Sequence, residues 1–346
     1  MPNNDSVELT IGHSPDPDDA FMWWPLGTAG LEGGPADAPV LEPVLETGRF
    51  RFRPVAADIE QLNRRALDTG DLDITAMSMH AYAHARDHYM LTDCGGSFGE
   101  GYGPKVLVTE SVAREAALAG QEIGIDWLRA MLDAGGVIAV PGTKTSAFLV
   151  LNMLLSGGDA AKVLPAERYR AMRFDTVVPA ILSGEVQAGL VIHEAQVTYA
   201  EEGLAKVVDL GVWWGEETGG LPLPLGANAI RSDLDERYGP GTREEVARLL
   251  RASIEYAAAN RKQGLDYAMR FATKEARTGG DGKGGLVDHF IELYVNELTM
   301  DFGERGQRAI ERLLQGGAAL GLAPQPRAGR PAVEVVRSAD RESCSG

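Results

Sequence analysis

Short apolar runs bounded by turn residues alternate along the chain with longer amphipathic stretches. Val7 to His13, Phe50 to Val55, Asp73 to Ala76, Lys105 to Thr109, Val137 to Val140, Ala188 to Ile192, Val207 to Leu210 and Ala227 to Arg231 read as strands. Asp58 to Leu67 reads as an amphipathic helix, Ser78 is placed to cap a helix that starts at Met79, and Ser111 to Ala134 reads as largely helical. From Arg243 onward the pattern is helical over Glu244 to Asn260, Gly264 to Ala272, Leu286 to Asn296 and Asp301 to Gly316, with a Gly-rich loop from Thr278 to Gly285. Ala29 to Leu45 is a surface loop, and Trp213, Trp214 and the run Pro222 to Gly226 form a long connection. Strands separated by helices predict an α/β protein.

The most informative stretch is Ile181 to Tyr199, ILSGEVQAGLVIHEAQVTY. It reads as a helix end, a turn at Gly184 and a short strand whose continuous apolar character suits cover on both faces, as in a parallel sheet. The strand runs into His193-Glu194. Open α/β sheets bind ligands beyond the carboxyl ends of their strands. A histidine there is a candidate general base, and a structural hydrogen-bonding role is the alternative. Ala66 to Ser78 repeats the plan, which suggests two α/β lobes presenting strand ends to a shared cleft.

Two further turns follow strands. Ser14 to Asp19 opens a helix with prolines and acids. Pro141 to Ser146 leads into the apolar helix AFLVLNMLL, where unpaired amides, the helix dipole and the hydroxyls of Thr145 and Ser146 could hold an anion; ordinary capping is the alternative. Asp93 to Pro104 is glycine-rich but lacks both the dinucleotide and the phosphate-loop order, so it reads as a flexible or close-approach loop. His80, His84 and His88 are spaced by four, yet no HExxH pattern accompanies them, and no metal is expected.

Composition narrows the partners. The 346 residues carry 33 Lys and Arg against 50 Asp and Glu, a net charge of -17. That balance argues against nucleic acid or an anionic membrane surface. Cys94 and Cys344 do not suggest a structural disulfide. The start MPNNDSVELTIGHS has no signal-peptide pattern and no apolar run reaches the length of a membrane span, so a cytoplasmic protein is expected.

Several segments then fall in order: Ser14-Pro15-x-Pro17-x-Asp19, Asp58-Ile59-x-x-Leu62-Asn63, Gly95 to Pro104, Pro141-Gly142-x-x-Thr145-Ser146-Ala147, Gly189 to Glu194, Val208-Asp209-Leu210-Gly211-x-Trp213-Trp214 and Leu221 to Gly226. Together they resemble the 1,4-dihydroxy-6-naphthoate synthases of the futalosine route to menaquinone, over Val7 to Leu322. The resemblance implies the two-lobed fold of type 2 periplasmic solute-binding proteins. The lobes would be residues 1–106 with 229–323, and 107–228; residues 324–346, rich in Pro, Arg and Ser and with little periodicity, read as a disordered tail. It implies carbon–carbon cleavage of cyclic dehypoxanthinylfutalosine to 1,4-dihydroxy-6-naphthoate, in a monomer or homodimer, with no metal or organic cofactor. His193 matches the family's proton acceptor. Ala76, Met77 and Ser78, with Thr145 and Ser146, match its substrate-binding positions, and Ser14 joins them as a candidate contact to an anionic small-molecule substrate. The first motif departs from the family's usual SPCPND at Asp16 and Asp18. Two other readings stay open: a solute-binding protein without chemistry, and a chorismate dehydratase of the same superfamily.

Overall fold

The computed structural model describes residues 6–193, 195–272, 277, 285–327 and 329–338. The chain begins β1 (Val7–His13), α1 (Pro17–Trp23), β2 (Phe50–Ala56), α2 (Ile59–Asp68), β3 (Ile74–Ser78), α3 (Met79–Ala85), β4 (Tyr89–Thr92) and β5 (Ser97–Gly99). It continues through β6 (Lys105–Thr109), α4 (Glu110–Leu118), α5 (Ile125–Asp133), β7 (Ile138–Val140), α6 (Ser146–Ser156), β8 (Tyr169–Ala171), α7 (Val177–Leu182), β9 (Ala188–Val191), α8 (Ala195–Thr198), β10 (Leu204–Asp209) and α9 (Leu210–Thr218). It then returns through β11 (Leu223–Arg231), α10 (Leu234–Tyr238), α11 (Thr242–Ala259), α12 (Arg261–Ala268), α13 (Gly285–Tyr294), α14 (Glu297–Met300), α15 (Gly303–Ala319) and β12 (Val335–Val336).

The strands form two sheets. One has the order β12-β4-β11-β3-β1-β2, with β5 also on β11, and the other has the order β10-β6-β9-β7-β8. β1 is parallel to β2 and β3, and β7 is parallel to β8 and β9. The strand β9 is buried at all four positions, as its apolar run implies. Its sheet is mixed rather than parallel, because β6 pairs with it antiparallel. The chain leaves the first sheet after β5 and rejoins it at β11, so the expected lobe boundaries at 106/107 and 228/229 fall inside β6 and β11.

The repeated plan has a matching local structure. Gly70 precedes β3 at φ 59° and Gly184 precedes β9 at φ 75°, a left-handed turn that favours glycine. The largest apolar cluster runs through both sheets, joining Met77, Tyr82 and Phe98 to Val106, Leu190 and Trp214. α6 carries ten buried positions out of 11. A helix apolar on every side is expected to sit inside.

Four expectations change. Trp213 and Trp214 lie on α9, which Asp209 caps by accepting from Gly211 N and Val212 N. Trp214 is fully buried and its indole donates to the Pro222 carbonyl at 3.0 Å, so it is a core residue. The long connection is therefore a helix, a short turn and the start of β11. Ser111 to Ala134 divides into α4 and α5. Asp93 to Pro104 contains β5, although its glycines do permit close approach: a Cβ on Gly99 would stand 2.0 Å from the Tyr102 carbonyl oxygen. Finally, the expected tail is partly ordered. β12 pairs parallel with β4, and Ser338 N donates to Asp93 at 3.0 Å. That donor offsets the cost of burying the Asp93 carboxylate, beside the β12 pairing and the burial of Val333 and Val336. Residues 339–346 and Thr278 to Gly284 lie outside the described residues.

Candidate active site

A cavity opens between the carboxyl ends of strands from both sheets. Ser14 follows β1, Ser78 ends β3, Thr145 and Ser146 follow β7, and Ile192 follows β9; all line it, with Ala76, Met77 and Tyr294. Six of the residues singled out from the sequence, Ser14, Ala76, Met77, Ser78, Thr145 and Ser146, thus meet in one place. Convergence of strand ends is what positions them.

His193 is not among the lining residues, though its neighbour Ile192 is. It is 6% exposed. Its ring stands edge-on to Phe174, 5.2 Å between centroids, and its Nδ1 accepts from Ala195 N at 3.2 Å. A neutral imidazole that accepts at Nδ1 carries its proton on Nε2.

Ser78 sits at the N-cap of α3 but makes no capping bond with its side chain. The carboxamide of Asn63, from the buried face of α2, takes it instead. Nδ2 donates to Ser78 Oγ at 3.1 Å, and Oδ1 accepts from Ser78 N at 3.0 Å. This occupies the serine oxygen as acceptor and leaves its hydrogen for a ligand. Asn63 Nδ2 also reaches the Lys144 carbonyl at 3.4 Å. Sequence reasoning gave Asn63 no role. The one available signal was an amide on the apolar face of an amphipathic helix.

Thr145 and Ser146 are less open than their chemistry suggested. Thr145 Oγ1 donates to the Gly142 carbonyl at 3.0 Å and accepts from Phe148 N at 3.1 Å. Ser146 Oγ accepts from Met79 N at 2.8 Å and donates to the Leu225 carbonyl. Both hydroxyls and the Phe148 amide are committed to the protein, and the donors left for an anion are the amides of Ser146 and Ala147 at the start of α6.

Across this edge α2 grips the loop before α6. Glu60 accepts from Lys144 N at 3.0 Å, and Arg64 donates to Thr143 Oγ1 at 3.0 Å. Gly142 takes φ 137°, a conformation that favours glycine, and a Cβ there would lie 2.6 Å from the Glu60 carboxyl. Burial pushes the Glu60 carboxyl upward, partly offset by the Lys144 amide and Arg64. Asp16, Asp18 and Asp19 give the cavity an acidic stretch of wall. Burial raises Asp19, while the charge of His13 and the Ser14 amide, 2.6 Å away, oppose that rise.

The spaced histidines serve packing. His80 and His84 lie on α3, whereas His88 is past its end. Both Nε2 atoms meet the Leu322 carbonyl, at 3.0 and 3.2 Å, and Lys144 Nζ lies 3.0 Å from His84. Among the described residues no group of three His, Cys, Asp or Glu is placed to hold a metal. No helix among them is long and apolar enough to cross a membrane. Cys94 is buried and unpaired.

A family model described as menaquinone biosynthesis matches residues 9–319 of this chain. The chain belongs to the menaquinone-biosynthesis family. Within that family it is 39% identical over 321 residues to a 1,4-dihydroxy-6-naphthoate synthase of Thermus thermophilus, covering 92% of this chain and 97% of the relative. A synthase of the same name from Streptomyces coelicolor is 33% identical, covering 91% and 95%. The crystal structure of protein AF1704 from Archaeoglobus fulgidus superposes with a TM-score of 0.67 at 34% identity, covering 91% of this chain and 98% of that one. The alkanesulfonate-binding protein of Xanthomonas axonopodis pv. citri superposes at 0.61 with 14% identity, covering 97% and 100%, which shows the fold alone. This family member therefore has the periplasmic-binding-protein-like fold, and its relatives are named as biosynthetic enzymes.

Proposed function

We propose that this protein is a carbon–carbon lyase that converts cyclic dehypoxanthinylfutalosine to 1,4-dihydroxy-6-naphthoate in the cytoplasm, without a metal or organic cofactor. The observation that carries the reading is the meeting of Ser14, Ser78 and the start of α6 in one cavity between two sheets, in a chain whose relatives are named 1,4-dihydroxy-6-naphthoate synthases. The two sheets act as lobes, and their closure excludes water from the reacting bond.

In this mechanism the substrate carboxylate rests on the first-turn amides of α6, where the dipole favours negative charge. Ser78, held by Asn63, donates its hydroxyl from the other lobe. The acidic wall accepts from substrate hydroxyls. His193 removes the proton that starts cleavage, and formation of an aromatic ring drives the step. To accept at Nε2 the ring must first release Ala195 N and hold its proton on Nδ1. Substrate binding supplies that change. The test is incubation of the purified chain with the cyclic substrate and mass detection of the naphthoate, beside His193→Asn and with chorismate as a second substrate. Product from the wild type alone supports the reading. Turnover of chorismate, or equal turnover by the variant, refutes the reaction or the base.

A further inference from the structure

Gln196 lies three residues beyond His193, on α8. Its side chain is 5% exposed. One end of its carboxamide is taken: Tyr294 Oη donates to Oε1 at 3.2 Å. The other end, Nε2, is buried and has no hydrogen-bond partner among the described residues. Buried amides are ordinarily satisfied, so an orphaned one calls for an explanation. The tyrosine offers one. Tyr294 lines the cavity and Gln196 does not, so the orphaned amide stands one hydrogen bond behind the cavity wall. Its ring is braced by Phe290 at 5.0 Å and by Tyr102 at 5.6 Å, which fixes the phenol. The backbone is fixed too, since Gln196 N donates to the His193 carbonyl at 2.9 Å.

We infer that Gln196 is a substrate-binding residue whose carboxamide nitrogen donates to a carbonyl or carboxylate oxygen of the substrate, and that Tyr294 is the positioning residue that orients it. Tyr294 comes from the helices that follow β11, Gln196 from the turn after β9. The pair therefore joins the two lobes at the cavity, and it places a donor on the same short turn as His193. The inference rests on the proposed reaction for its substrate, but its own content is the donor.

The test compares the full-length wild type with Gln196→Met and Tyr294→Phe. KM and kcat are measured with cyclic dehypoxanthinylfutalosine, and the Kd of 1,4-dihydroxy-6-naphthoate by calorimetry. Gln196→Met, which keeps the volume and removes the donor, is expected to raise KM and product Kd about tenfold, with a smaller change in kcat, as for one lost hydrogen bond. Tyr294→Phe is expected to raise both about threefold, and the double variant to be no worse than Gln196→Met, because the two act as a unit. A lowered melting temperature with KM and Kd unchanged would make the pair a structural strut and overturn the inference. Should Gln196→Met fail to fold, Tyr294→Phe carries the same comparison. If the wild type turns over no substrate, the proposed reaction falls, and the donor is then judged on product Kd alone; no product binding to the wild type overturns it too.

Discussion

Ala66 to Ser78 and Ile181 to His193 follow one plan and differ in what secures their last residue. In each, a helix ends, a glycine turns and a buried strand runs to the cavity in parallel with a strand of the same sheet. Ser78 is still inside its sheet, paired with Gly226 of β11, and Asn63 holds both its amide and its hydroxyl. His193 lies beyond the last paired residue of its strand, Val191. Among its contacts are an amide of its own turn, which donates to Nδ1, and the edge of Phe174. The first end is built to keep one geometry. The second stands beyond the sheet, where a side chain can exchange partners without breaking the ladder, which suits a group that must trade hydrogen-bond partners during a reaction.

The largest expected effect tests the second end. His193→Asn should lower turnover about 10²- to 10⁴-fold, the usual worth of a positioned general base, with melting unchanged. Steady-state kinetics on the cyclic substrate would show this. Next comes the first end. Asn63→Leu strands the Ser78 amide and the Lys144 carbonyl, and should cost about 3 kcal/mol in urea unfolding while raising KM, since orphaned buried groups cost roughly 1–3 kcal/mol each. If unfolding were unaffected, the contrast between a fixed and an exchangeable end would fail.

A third effect is set by pH. Burial, helped by Lys144 and His84, lowers His80 to about 4 from its usual 6.5. A depressed histidine contributes stability that is complete above 6.5 and is lost as pH falls toward 4. Melting temperature should fall across that window, by less than about 3 kcal/mol of stability, and His80→Gln should flatten the profile. The smallest effect is at the grip on the loop before α6. Glu60 is pushed upward by burial, so its contribution is present below the ordinary carboxyl value and is lost as pH rises through the raised one. Glu60→Gln keeps an acceptor for Lys144 N, and should change stability at neutral pH by no more than about 1 kcal/mol.

Much of this arrangement could be read from the chain. Strand runs such as Lys105 to Thr109 and Ala188 to Val191 carry their own pattern, and residues at strand ends were bound to converge. What escaped has physical causes. α9 was hidden by Gly211 and Gly215, poor helix formers, and a Cβ at Gly211 would stand 1.9 Å from the Tyr102 carbonyl oxygen. Pro222 and Pro224 disguised the start of β11, where the register shifts between Pro224 and Gly226. β12 is two residues long, too short to show periodicity. Tyr294 reaches the cavity from a helix far away in sequence, and Asn63 stands behind Ser78 from α2; no local pattern reports such meetings.

The double passage between sheets also orders the birth of the protein. The second sheet is complete within Lys105 to Asp209, one unbroken stretch of chain. The first cannot be: β3 waits for its antiparallel partner β11 while roughly 150 residues are made, some 7–30 s at ordinary rates of synthesis. The inserted lobe can therefore close on the ribosome while the lobe that was started first stands with an open edge, and it is that edge, from β3 outward, that a nascent chain must protect from wrong pairing.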